Sequence, residues 1–490
     1  MRYVLAIDQG TSSSRGVVYD EELNPVGMGQ RPLPSEFPQD GWVEQDANLL
    51  WQTAIDSCRE AIADAKIQSH QLAAIGITNQ RETSIVWDAI TSEPICNAIV
   101  WQDRRTTEMC ARLKSDGLEE HIFETTGLVV DPYFSSTKLA WLLENPRVWK
   151  LADEGKLRWG TVDSFLLWRL TNGRVHATDA TNASRTQLYD INLNEWSTEL
   201  SAYFRVPKSV LPTVMDSTST FGIADKEWFG REIPILGVAG DQQAALVGQS
   251  CFESGMAKAT YGTGCFLIAN TGQERRDSKN GLLTTIAYRL DDITTYGIEG
   301  SIFNAGTAIQ WLRDRLRFVG NSSDSEASAR KTGGNTKGVY VVPAFTGLGA
   351  PHWVPDARGL ICGLTLDSGI DEIVTATLKS VGFQTSDLLE AIAGAGLSLT
   401  RLRVDGGMSQ NAWFCQFLSD VTGIQVDRPK NVETTSAGAA VLAWLGSGHI
   451  SSLAQAAQNW QLDSSFKPLM SGVERKDEIS RWHAAVRRAM

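Results

Sequence analysis

No apolar run in the sequence approaches the roughly 20 residues that cross a bilayer as a helix, so no membrane span is expected. The first apolar run, Tyr3–Ile7, meets Asp8 at once. It is too short for the core of a signal peptide and reads as a strand. The seven cysteines (Cys58, Cys96, Cys110, Cys251, Cys265, Cys362, Cys415) are scattered, odd in number and never spaced as CxxC. That excludes a disulfide framework or a structural zinc site and points to reduced thiols in the cytoplasm. The six histidines show no metal-ligand spacing. Positive charge is scarce: 45 Lys and Arg stand against 57 Asp and Glu, a net charge of −12. Such a balance argues against a nucleic-acid partner or an anionic membrane surface. It leaves an anionic small substrate open, because backbone N–H groups hold phosphates without net charge. Two common phosphate devices are also missing. There is no GxxxxGK[ST] string, and no GxGxxG follows a strand. Lys331-Thr332-Gly333-Gly334 imitates part of the first and reads as a loop.

What is present is ordinary for a globular chain: 490 residues, 42% hydrophobic, 8% aromatic and 21% charged. At roughly 150 residues per domain the length allows two large units or three smaller ones. Short apolar runs alternate with amphipathic ones. Tyr3–Ile7 and Gly16–Tyr19, joined by a Gly/Ser turn, suggest a hairpin. Asp46 reads as an N-cap before Trp51, Ile55, Cys58, Ile62 and Ala65 at helical spacing. Leu72–Ile77 is apolar on both faces, as a central covered strand requires, and ends in Thr78-Asn79-Gln80-Arg81-Glu82. Polar residues at the carboxyl end of such a strand are where α/β sheets place ligands. Ile95–Trp101 repeats the pattern. Later, Gly255–Ala269 reads as two strands, Val374 to Ile392 as one face of a long helix, Arg401–Val404 as a strand and 434–445 as an Ala-rich helix. The least ordered stretches are expected at Asn321–Lys337 and in the charged C-terminal tail. No Pro- or Ser-rich linker divides the halves. The division expected is 1–247, 248–446 and a helical extension 447–490.

Asp8-Gln9-Gly10-Thr11-Ser12-Ser13-Ser14-Arg15 lies between two strands. Glycine lets backbone N–H groups approach an anion, Thr and Ser add hydroxyl donors, and Arg15 adds charge. Asp8 could hold the water shell of Mg²⁺, which prefers one or two carboxylates plus phosphate oxygens. A plain hairpin turn is the competing reading. Tyr261-Gly262-Thr263-Gly264 and Asp405-Gly406-Gly407 are further glycine-tipped turns at strand ends. One such hairpin in each half suggests a duplicated domain around a shared ligand.

These strings bring a resemblance with them. The chain resembles the FGGY family of carbohydrate kinases, which share the actin/hexokinase-type ATPase fold. The matching strings are Asp8-Gln9-Gly10-Thr11 with Arg15, Ile75–Thr83, Asn97–Gln102, Gly127-Leu128 before Asp131–Phe134, and Asp179–Arg185. They continue with Gly240–Ala245, Tyr261–Phe266, Asn280–Ile286, Ile309–Asp314, Val339–Pro351 and Val404–Gly407. The resemblance runs from residue 3 to about residue 446. It implies an α/β fold of two ribonuclease H-like domains with a cleft between them. It also implies ATP-dependent phosphorylation of glycerol to sn-glycerol 3-phosphate, with ATP and Mg²⁺ bound, and a cytoplasmic homo-oligomer, dimer or tetramer.

The resemblance further implies the site. Arg81 and Glu82 would clamp polyol hydroxyls, with Tyr133 as a phenolic partner and Gln242 at a terminal hydroxyl. Trp101 and Phe266 would cover the carbon backbone. Asp241 would be the general base; as a sequence feature it also fits an N-cap for Gln242–Gly248. Thr11, Ser12, Ser13, Arg15 and Thr263 would bind phosphates, with Asp8 on Mg²⁺ through water. Gly306, Gln310, Gly407 and Asn411 would contact the nucleotide, Asn411 also suiting an N-cap. Two alternatives stand against this: a relative acting on a longer sugar such as xylulose, and a nucleotide-gated scaffold without transfer activity.

Overall fold

The computed structural model describes residues 2–278, 281–354 and 356–490. Asn280, the first residue of one family-like string, lies outside them. The chain forms two compact units. The first gathers the chain up to Ser250 with Thr284–Tyr296 and Thr434–Trp460; the second holds Cys251–Leu283, Gly297–Glu433 and Gln461–Met490.

The first unit is built on six strands: β1 (Tyr3–Gln9), β2 (Ser13–Tyr19), β3 (Pro25–Pro32), β4 (Leu72–Asn79), β5 (Thr218–Ala224) and β6 (Ile233–Gly240). Their order is β5-β6-β4-β1-β2-β3. The expected hairpin is present, β1 pairing antiparallel with β2 so that Asp8 faces Arg15 across it. β4 runs parallel to β1 on one side and to β6 on the other. Its residues Ile75 and Ile77 are fully buried, as the two-faced apolar pattern requires. Each such side chain contributes about 1.5–3 kcal/mol of transfer free energy. The three parallel strands end on one side of the sheet in Gln9, Asn79 and Gly240. Asp46 caps the helix Ala47–Asp64 by accepting from the N–H groups of Asn48 and Leu49.

The second unit repeats the theme with β7 (Met256–Tyr261), β8 (Cys265–Gly272), β9 (Arg401–Asp405), β10 (Val426–Pro429) and β11 (Leu462–Phe466). β7 and β8 form a hairpin, and β7 runs parallel to β9 with Thr260 opposite Asp405. The sheet continues through β10 to β11. The long helix Ile370–Gly394 buries Val381, Leu388 and Ile392 beside it and Val374 and Leu378 against Ile309 and Leu312. The α/β class holds in both units.

The two compact units do not follow residue order strictly, and three expectations about single segments need correcting. The helix Thr434–Gly446 joins the first unit because its small residues let backbones meet. Tyr19 Oη bonds Ser436 Oγ at 2.8 Å, and a Cβ on Gly237 would stand 2.6 Å from the Ala443 nitrogen. The tail is not a separate extension. β11 pairs with β10, and the helix Gly472–Ala489 buries Trp482, whose Nε1 donates to Asp387 Oδ2 at 2.8 Å. Asn321–Lys337 contains the helix Asp324–Thr332, closed by Gly333 in the left-handed region, so Lys331 and Thr332 are helical rather than loop. Ile95–Trp101 supplies only the two-residue strand Ala98–Ile99, paired with Glu44–Gln45 outside the main sheet. Ile95 and Ile99 pack into a satellite cluster with Ile122, Leu139 and Trp159, while Ala98 joins the main core.

Candidate active site

Asp241, Arg81 and Asp8 sit at or just beyond the carboxyl ends of β6, β4 and β1, three neighbouring parallel strands. Adjacent strands lie about 4.8 Å apart, so the backbones bearing Asp8 and Asp241 are separated by about two such spacings. The first unit therefore holds the Gly10 turn and the carboxylate after Gly240 on one edge.

Asp241 opens the helix Asp241–Gly248, and Gly240 is the N-cap residue. The Asp241 side chain still serves the helix start, its Oδ1 accepting from the Gln242 N–H at 2.7 Å. The same Oδ1 lies 3.2 Å from Arg81 Nε, in an ion pair where Arg81 is 2% exposed and Asp241 29%. Both contacts fall on one oxygen, Oδ1. Arg81 Nη1 donates to Gln243 Oε1 at 3.2 Å.

Arg81 and Glu82 are adjacent and buried, but they split between different partners. Their own Nε–Oε1 separation is 3.9 Å, whereas Glu82 Oε1 accepts from Arg185 Nε at 2.7 Å. Glu82 has φ of 60°, the left-handed region, inside a turn that the Thr83 N–H closes on the Arg81 carbonyl at 2.7 Å. A bulky residue holds that conformation only where its surroundings over-determine it, and such residues cluster at functional sites. Ser135 Oγ adds a bond to the Glu82 carbonyl at 3.1 Å.

Trp101 and Tyr133, both half-buried, meet edge to face with centroids 5.5 Å apart. Trp101 Nε1 donates to Thr11 Oγ1 at 2.9 Å. The Tyr133 turn is held by two devices. Asp131 Oδ1 accepts from the Tyr133 N–H at 2.9 Å, and the fully buried Lys138 donates to the carbonyls of Pro132 at 2.7 Å, Tyr133 at 2.6 Å and Phe134 at 3.0 Å. Burial pushes the Lys138 pKa down to about 8, against the pull of Glu82. The Gly10-Thr11 turn rests on an amide network. Gln80 Nε2 donates to Gln45 Oε1 at 2.9 Å, and Gln45 Nε2 donates to the Thr11 carbonyl at 2.6 Å. Ser12 is exposed, and Asp8, Ser13 and Arg15 are partly so. Among the described residues no group of three or more His, Cys, Asp or Glu could hold a metal. A hard ion held by one carboxylate through water, with phosphate oxygens for the rest, is the donor set Asp8 can serve.

The second unit holds Thr263, Phe266, Gly306, Gln310, Gly407 and Asn411. Gly262 and Thr263 are exposed at the tip between β7 and β8. The helix Gly306–Trp311 starts against that tip. The Gly306 N–H bonds the Gly262 carbonyl at 3.0 Å, and the Thr307 N–H bonds the Thr263 carbonyl at 3.1 Å. Gln310 is exposed on this helix. Gly406 has φ of 83°, and a Cβ there would stand 2.5 Å from the Tyr261 carbonyl oxygen. At Gly407 a Cβ would meet nothing within 4 Å. Asn411 caps the helix Ala412–Thr422, accepting from the Phe414 N–H at 2.9 Å. Phe266 is thus on the second unit, and the other residues expected around the polyol are on the first.

Sequence reasoning missed Arg185, Lys138 and the Gln45–Gln80 pair. Arg185 ended a family-like string and Gln80 lay inside another, which were the available signals; nothing marked Lys138 or Gln45.

Two family models match the chain. The FGGY family of carbohydrate kinases, N-terminal domain, covers residues 3–248, and the C-terminal domain covers 257–447. The glycerol kinase of Ectopseudomonas mendocina (strain ymp) is 54% identical over 489 residues, 99% of each chain. The crystal structure of Plasmodium falciparum glycerol kinase with ADP superposes with a TM-score of 0.94 at 38% identity, over 100% of this chain and 98% of that one. The ligand-bound xylulose kinase from Lactobacillus acidophilus reaches a TM-score of 0.88 at 22% identity, over 100% and 98%, a likeness of fold.

Proposed function

The chain belongs to the FGGY family of carbohydrate kinases, and from that premise we propose that it transfers the terminal phosphoryl group of ATP to a terminal hydroxyl of glycerol, giving sn-glycerol 3-phosphate and ADP. The observation that carries the reaction is the Asp241 carboxylate. Arg81 Nε at 3.2 Å and the Gln242 N–H at 2.7 Å fix its Oδ1, so Oδ2 is the base for the attacking hydroxyl. As the glycerol oxygen bonds to phosphorus, the bond from phosphorus to the ADP oxygen breaks and the hydroxyl proton passes to Asp241. Arg81 and Glu82 supply a donor and an acceptor for the remaining hydroxyls. Trp101, Tyr133 and Phe266 cover the carbon chain, and Gln242 reaches a terminal hydroxyl.

Phosphoryl transfer needs positioning and charge neutralisation more than covalent help. Thr11, Ser12, Ser13, Arg15 and Thr263 take the phosphates, and Gly306, Gln310, Gly407 and Asn411 the rest of the nucleotide. The room at Gly407, unused by the protein itself, supports that assignment. Mg²⁺, held through water by Asp8, would neutralise phosphate charge. The free thiols of the described residues support a reducing, cytoplasmic location.

Glycerol is favoured over a longer sugar by the relatives of about half identity and nearly full coverage that are named glycerol kinases. A coupled ATP-consumption assay over glycerol, other polyols and pentuloses tests this. Glycerol should give the highest kcat/KM; a pentulose turned over faster would replace it.

A further inference from the structure

We infer that Arg185 is a positioning residue for polyol recognition, acting through Glu82 and Tyr133; the inference rests on the glycerol reading above. Glu82 has a carboxylate 2% exposed, in a backbone conformation unfavourable for a side chain of its size. A buried carboxylate needs a cation and hydrogen bonds to stay ionised, and only an ionised one offers all its lone pairs to hydroxyl donors. Arg81, the neighbour in sequence, makes only a long 3.9 Å ion pair here and also holds Asp241 and Gln243. Arg185 makes the shorter contact, its Nε donating to Glu82 Oε1 at 2.7 Å with its own side chain fully buried.

The same guanidinium also touches the aromatic wall. Its centre lies 5.6 Å from the Tyr133 ring and 5.3 Å from the Phe134 ring. A planar cation can hold a carboxylate at one edge and lie against rings with its surface, which an ammonium cannot. Arg185 therefore links the acid and the phenol that flank the polyol. Its backbone is set by the short helix Ala180–Ala183, where the Arg185 N–H bonds the Asn182 carbonyl at 3.0 Å.

The test compares Arg185→Lys and Arg185→Gln with the wild type in steady-state kinetics, glycerol calorimetry and thermal melting. Loss of one charge-assisted bond should raise KM and Kd for glycerol about tenfold in R185K, and further in R185Q, with KM for ATP unchanged. Combining R185Q with Glu82→Gln should weaken glycerol binding little beyond E82Q alone, since one acts through the other. Wild-type glycerol affinity in R185K overturns the inference. So does an additive double variant, or a parallel loss for glycerol and ATP that follows a fall in melting temperature. If R185Q does not fold, R185K decides; failure of both to fold assigns Arg185 to structure and overturns the inference. Wild-type protein that binds glycerol without phosphorylating it refutes the reaction alone. Wild-type protein that does not bind glycerol refutes both.

Discussion

Arg81, Glu82 and Arg185 are at most 3% exposed, while Gly262, Thr263 and Gly407 stand open to solvent. The residues expected around the polyol in the first unit are charges already paired and locked, and the second unit presents bare backbone turns. The difference follows from what each would bind. An uncharged polyol can be told from water only by donors and acceptors fixed in advance, so their positions are determined by buried partners. A phosphate brings its own charge and is met by exposed N–H groups, which need little beyond a glycine-shaped space.

The largest expected effect breaks the locked side. Asp241→Asn keeps an oxygen for the Gln242 N–H but removes the base. The expected loss in kcat is at least about 10²-fold, the low end for general-base catalysis, with melting temperature near wild type. Stopped coupled assays at saturating glycerol and ATP check it. Turnover close to wild type would remove Asp241 from the chemistry and leave it a helix-start residue.

A second measurement sharpens the open side, where two adjacent glycines differ. Gly406 is required by the protein: its φ is 83°, and a Cβ would strike the Tyr261 backbone. Gly406→Ala should cost roughly 1–3 kcal/mol of stability. Gly407 has no such conflict. Gly407→Ala should melt like the wild type but raise KM for ATP by roughly tenfold, about 1.4 kcal/mol. Equal loss of stability in both variants would mean that Gly407 is kept for folding.

Glycine turns and helix caps in both units were more legible in the sequence than the buried partners of the locked side, and the reason is range. A glycine-tipped hairpin is local, and β1–β2 and β7–β8 fall where Gly10 and Gly262 indicated. The caps at Asp46 and Asn411 and the apolar face of Ile370–Gly394 are equally short-range. The partners of the locked side are not. Arg185 and Glu82 are 103 residues apart, and no periodicity relates them. The left-handed backbone at Glu82 has no local signature either, since glutamate is a poor residue for it. Nothing in the sequence marked Lys138, whose ammonium turns back into three carbonyls. The docking of Thr434–Gly446 also escaped, because an Ala-rich helix shows a lack of bulk without naming the surface it fits.

The smallest effect probes whether buried charge in the first unit is always so well compensated. Asp163 is fully buried and accepts from the hydroxyls of Thr161 and Thr178, but among the described residues no cation pairs with it. Burial, with a smaller push from Asp179, raises its pKa from 3.8 to about 7, against those two hydroxyls. A raised carboxyl pKa favours the folded state while the group is protonated. That contribution is complete below pH 3.8 and disappears as pH rises through about 7. Asp163→Asn imitates the neutral acid, so it should melt a few degrees (~2–4 °C per kcal/mol) above the wild type at pH 8. The gap should shrink toward pH 5, where wild-type Asp163 binds its proton in the fold. A gap independent of pH would show that Asp163 is ionised throughout, and that two threonine hydroxyls compensate a buried carboxylate as well as Arg185 does at Glu82.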